Sequence, residues 1–123
     1  MRSATNFREA PPRSLSERPP RSGREMLGRY AWLARLIDKV RAEHAGAGGE
    51  YVAYCRLSRG FLAQTGVSAE VFDTLIRRGS DDLDVKLFFD KHVSDAQRNA
   101  ANKFVLADMR RELDAQDAEE GRS

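Results

Sequence analysis

From Met26 onward, the apolar residues of the 123-residue chain recur at helical spacing. In YAWLARLIDKVRAEHAG, residues 30–46, Leu33, Ile37, Val40 and His44 fall at i, i+4, i+7 and i+11, and Met26, Tyr30, Trp32 and Leu36 widen the stripe. This is the pattern of a helix with one buried face. Ser22, with Glu25 three residues on, offers a capping-box start, so the helix is expected to run from there to about Ala45. Gly46 can end it in the left-handed conformation, and Gly48 and Gly49 then turn the chain.

The next stretch, EYVAYCRLS, is apolar on both alternating faces and reads as a short buried extended segment. No second stretch has strand character, so a ladder partner would have to come from another subunit. Ser58, Ser68, Ser80 and Ser94 then stand as N-caps. They precede, in turn, Phe61 with Leu62, Val71 to Ile76, Leu83 to Phe88, and a final long helix. Ser94 and Gln97 form a capping box, and Gly66 and Gly79 stand where C-caps are wanted. The pattern predicts an all-α fold: a small bundle of about five helices, two long and three short, with a short extended segment after the first long helix.

Three segments follow from this. Residues 1–23 hold all four Pro together with Arg and Ser and show no period, which predicts a disordered leader. Residues 24–115 form a single helical domain, and residues 116–123 a frayed acidic tail. A domain of this size buries only a modest core, which leaves room for a homodimer.

Charge narrows the function classes. Residues 1–25 carry six Arg against three Glu, whereas the other 98 carry 15 Lys and Arg against 16 Asp and Glu. The folded part is therefore near neutral, which argues against nucleic acid as a partner and leaves a DNA-binding regulator the weakest reading. With one Cys and no apolar run long enough to span a bilayer, the chain is expected to be cytoplasmic, with no disulfide and no membrane partner. Glu9, Glu17 and two Pro pairs argue against a transit peptide.

Pro20-Arg21-Ser22, Leu27-Gly28, the LARLIDKVRA run of residues 33–42, Gly49-Glu50-Tyr51, Cys55 and the Phe61 to Gly66 block occur in one order over residues 20–66. In this half the chain resembles an uncharacterised bacterial family, the domain of unknown function 5069 family. The resemblance implies a compact cytoplasmic domain and transfers no catalytic residue. Members read Cys-Pro and Leu-Asp where this chain has Arg56 after Cys55 and Ser58 after Leu57.

Candidate chemistry is sparse. Helical geometry sets Arg35, Asp38 and Arg41 about 60° apart around the first helix, with Lys39 beyond Arg35 and all opposite Ile37 and Val40. Exposed, such pairs are ordinary solvated surface; covered, they form an ion network or an anion pocket with Tyr51 and Cys55 close by. The Gly-rich loop after the first helix is not a phosphate cradle, because such loops open a helix. His44 and Cys55 could meet across the turn, though each fits better as part of the apolar pattern. Neither His44 nor His92 has a second His or Cys at ligand spacing, so no metal or other cofactor is expected. Asn102 lies in the stripe of Leu106, Met109 and Leu113, as a buried Asn that fixes helix register or oligomeric state would. The sequence thus points to a binding or interaction domain for an anionic small molecule or a protein, with Arg35, Asp38, Lys39, Arg41, Tyr51 and Cys55 as its site. The alternative is an enzyme acting on an anionic substrate, with Asp38 as acid or base.

Overall fold

The computed structural model describes residues 14–122. Among them are six α-helices and no strand: α1 Leu33–His44, α2 Arg56–Thr65, α3 Ala69–Arg77, α4 Asp82–His92, α5 Asp95–Lys103 and α6 Arg110–Glu119. A π-helical segment, Phe104–Asp108, joins α5 to α6. No helix described is long and apolar enough to cross a membrane.

The apolar stripe of α1 forms the centre of the bundle, with Leu33, Leu36, Ile37 and Val40 wholly buried. Each such side chain contributes about 1.5–3 kcal/mol by leaving water. Around it, Phe89 of α4 meets Tyr30 edge-on at 5.4 Å, and Phe61 of α2 and Phe72 of α3 at 6.1 Å each. α2 packs on α5 and the π segment. Gly60 permits that approach, because a Cβ there would overlap the Phe104 ring. The starts of α3 and α5 follow their serines: Ser68 Oγ accepts from Val71 N at 3.1 Å, and Ser94 with Gln97 closes a capping box.

Several boundaries differ from the sequence pattern. α1 begins at Leu33, not near Ser22, since Gly28 (φ 58°) and Trp32 (φ 72°) break the helix and Leu27 and Tyr30 exchange backbone hydrogen bonds of 3.0 and 3.1 Å in a tight turn. The Ser22 hydroxyl donates to Asp117 at 2.9 Å and accepts from Arg24 N, so Ser22 does not cap α1. Residues 51–55 turn instead of extending, with Ala53 buried and Val52 outside. Cys55 precedes α2 as its N-cap and leaves Ser58 buried inside the helix, while Asp81, not Ser80, caps α4 in a box with Asp84. The final helix is interrupted at the π segment, where Met109 N reaches back to Phe104 O.

The ends of the domain also lie further out than expected. Most of the leader falls outside the described residues. From Ser14 the chain runs as a strap over α1, with Leu15 and Pro20 buried. Residues 116–119 remain helical, and Glu120 just beyond them is paired in the interior. Polar composition hid both, because their anchors are ionic and distant in sequence.

Candidate functional site

Arg35, Asp38, Lys39 and Arg41 all leave α1 on the side away from Ile37 and Val40. That side is covered by the strap, the turn at residues 51–55 and the end of α6. Arg35 and Lys39 are only 2% and 4% exposed. A charge taken so far from water needs a partner, and among the described residues each cation here except Lys39 meets a carboxylate. Arg35 holds Glu120 with two parallel bonds, Nη1 to Oε1 at 2.9 Å and Nη2 to Oε2 at 2.8 Å. Arg21 gives its backbone N, Nε and Nη2 to Asp38 at 2.9–3.0 Å and its Nη1 to Asp82 at 2.9 Å. Arg41 reaches Asp82 at 3.2 Å and the Ser80 carbonyl at 3.1 Å.

Lys39 differs. Its Nζ donates to Cys55 Sγ at 3.4 Å and stands 5.4 Å from the centre of the Trp32 ring. Arg35 lies over the same ring at 5.5 Å and over Tyr51 at 5.6 Å, so the guanidinium is held between two aromatic groups. Among the described residues Trp32 is the one non-glycine residue with positive φ. For so bulky a residue that conformation costs about 1–3 kcal/mol. The residue is fixed at backbone and ring: Trp32 N donates to Gly23 O at 2.8 Å, and Nε1 donates to the buried Ser58 Oγ at 3.1 Å. Cys55 Sγ lies 3.5 Å from the same hydroxyl. The strained backbone therefore brings one ring within reach of two buried cations.

The environment shifts several of these groups. Burial pushes the Lys39 ammonium below its ordinary pKa, with Arg35 adding to the depression. Burial alone would raise the Cys55 thiol, but the charge of Lys39 and the hydrogen bonds from Ser58 and Lys39 outweigh it and bring the thiol below its usual value. Burial likewise works against Glu120 ionising, and Arg35, Tyr51 and Arg122 together keep its carboxyl below the usual range. The result is a half-buried thiol, at the head of α2, made more acidic than usual by the ammonium beside it.

Thus all six residues singled out in the sequence gather around one side of α1, in two different settings. Arg35, Lys39, Tyr51 and Cys55 surround Trp32, Glu120 and Ser58; Asp38 and Arg41 belong to the ion network of Arg21 and Asp82. His44 does not meet Cys55. Its Nε2 is 2.9 Å from Asp73 Oδ1, which also accepts from Tyr54 at 2.9 Å, and this ties α1 to α3. Asn102 serves the fold of this chain, accepting from Ala31 N at 3.0 Å and donating to Arg29 O at 2.8 Å. Trp32, Ser58, Arg21 and Glu120 went unnoticed as site members. A sole Trp beside an arginine-rich run was the available signal for the first; nothing local marked Glu120.

The family model for the domain of unknown function DUF5069 matches residues 17–122. The chain belongs to the DUF5069 family. The match extends the likeness of residues 20–66 to nearly everything the structure describes, from the strap through α6. No curated protein matches the chain. In this DUF5069 domain, Ser58 stands where the resemblance leads one to expect an acid. That position lies at the N–H edge of the indole and beside the thiol, so no carboxylate from α2 answers Lys39.

Proposed function

We propose that this domain binds an anionic group at the Trp32-centred site, with Lys39 as the cation that receives it and Cys55 beside that cation. One observation carries the reading: Lys39 is buried, yet its hydrogen-bond partner is a sulfur and not a carboxylate. While the thiol keeps its proton, the ammonium charge is uncompensated in a low-dielectric setting, and an incoming anion gains the interaction that Glu120 already gives Arg35. Asp38 and Arg41 act as scaffold in this reading, because Arg21 and Asp82 engage them.

A second reading, an enzyme using Cys55 as nucleophile on an anionic substrate, is favoured by the lowered thiol pKa next to Lys39. It does not use Asp38 as acid or base, since three donors from Arg21 hold that carboxylate. One pair of measurements on the parent and Lys39→Met separates the two. Phosphate, compared with chloride at equal ionic strength, should raise the parent's melting midpoint and leave Lys39→Met unmoved; a hundredfold excess over Kd adds about 2.7 kcal/mol. Iodoacetamide labelling of Cys55 against pH should show an inflection that moves up in Lys39→Met. A phosphate shift that survives in Lys39→Met refutes the anion site, and an unmoved inflection refutes the nucleophile.

A further inference from the structure

We infer that the Arg35 end of this site is a receptor for carboxylates, and that Glu120 is an internal occupant which a carboxylate-bearing ligand displaces. The inference rests on the anion-binding reading above and assigns it a ligand class and a means of control. The geometry around Glu120 is that of a recognition site. A planar guanidinium, buried and fixed between Trp32 and Tyr51, presents two parallel donors to the two carboxylate oxygens. Tyr51 Oη donates to Oε2 at 2.9 Å, and Arg122 donates to Oε1. This fork-to-fork arrangement suits a flat two-oxygen anion better than a tetrahedral one.

Two further observations separate an exchangeable occupant from a permanent core pair. First, Arg35 Nε is buried with no hydrogen-bond partner, so Glu120 leaves one donor of the guanidinium unused. A ligand with a further oxygen next to its carboxylate would satisfy it; a glutamate side chain has none. Second, Glu120 is reached from outside. An open depression of about 260 Å³ lies between the strap at Ser16 to Pro19 and Tyr51, Glu119 and Glu120. The tail that delivers Glu120 is held mainly by polar contacts: Leu113 is the one buried residue of α6, while Asp114 and Asp117 pair with Arg24, and Arg122 donates to Pro20 O at 2.7 Å. Releasing the last turn of α6, which lies beyond Leu113, therefore exposes little apolar surface, and the incoming carboxylate replaces the charge that leaves.

The test uses the full chain with acetate as the probe, against chloride and phosphate at matched ionic strength. Glu120→Gly should melt below the parent, and acetate should recover most of that loss while raising the parent's midpoint far less. Isothermal titration should show acetate binding at least tenfold tighter to Glu120→Gly than to the parent. Adding Arg35→Met to Glu120→Gly should abolish the acetate response. In the parent, saturating acetate should speed amide hydrogen exchange at residues 117–122, a readout available even if Glu120→Gly fails to fold. If acetate acts no differently from chloride on the variant, or leaves exchange in the parent unchanged, the carboxylate receptor is refuted. If phosphate still stabilises the parent through Lys39 under those conditions, the anion-binding reading stands without it; if neither anion acts, both fall.

Discussion

Asn102 shows what a single polar residue does when both ends of its amide are used. Its Oδ1 and Nδ2 take Ala31 N and Arg29 O, securing the loop that presents Trp32 to the site. Asn102→Ala leaves the partly buried Ala31 N–H without its acceptor, while the exposed Arg29 O can turn to water, and should destabilise the domain by about 1 kcal/mol. Asn102→Leu should do no better, although it completes the apolar stripe, because the Ala31 N–H loses the same acceptor. Urea denaturation of both variants checks this, and an unchanged or raised midpoint for the Leu variant would mean that the loop is held some other way. That Asn102 specifies something was legible from its place among Leu106, Met109 and Leu113; what it specifies was not, since its partners lie more than 70 positions earlier. The same distance limit explains the site. Arg35 and Lys39 could be put on one face of α1 from helical spacing alone, whereas Glu120, 85 residues away, left no local trace.

At the scale of elements, the helices that were legible are those whose start is written in adjacent residues. Ser68 and Ser94 cap α3 and α5 as their spacing implies, because a cap is a contact over three positions. For α4 the sequence pattern pointed to Ser80, and the structure uses the adjacent Asp81, whose Oδ1 accepts from Asp84 N at 2.8 Å. Asp81→Ala should therefore cost about 1 kcal/mol, whereas Ser80→Ala, which keeps the carbonyl that Arg41 uses, should stay within about 0.5 kcal/mol of the parent. Thermal melts of the pair decide it, and equal losses would return the cap to Ser80. The start of α1 illustrates the opposite case. Its apolar period continues back to Met26 without a break, but the backbone leaves the helical region at Gly28 and again at Trp32. Side-chain periodicity does not report a strained φ. The π segment is hidden for the same reason: the stripe of Leu106, Met109 and Leu113 runs through it, and no Gly or Pro marks a break.

For the whole molecule, the two ends of the described chain form a clasp over the charged side of α1. Arg21 bridges Asp38 of α1 and Asp82 of α4, Ser22 and Arg24 hold Asp117 of α6, and Arg122 returns to the Pro20 carbonyl. Read from composition, these Pro, Arg and Ser residues could not offset chain entropy by burying apolar surface, and they do not; from Ser14 on, ion pairs and hydrogen bonds do most of the anchoring. The apolar share is Leu15, 5% exposed, together with the buried Pro20. Starting the chain at Gly23 removes Leu15, worth about 1.5–3 kcal/mol, and leaves Asp38 without the guanidinium that covers it. Breaking a fully buried pair costs about 3–5 kcal/mol, and here the side chains are 24% and 14% exposed, so the loss should fall below that range. Together these should lower the melting midpoint by on the order of 10 °C, at roughly 4 °C or more per kcal/mol for a domain of this size. Arg21→Ala in the full chain should give part of the drop, because it leaves Leu15 in place. If the shortened chain melts with the parent, the strap rests on the domain without stabilising it, and the packing that covers Arg35 and Lys39 must come from the turn at residues 51–55 and from α6 alone.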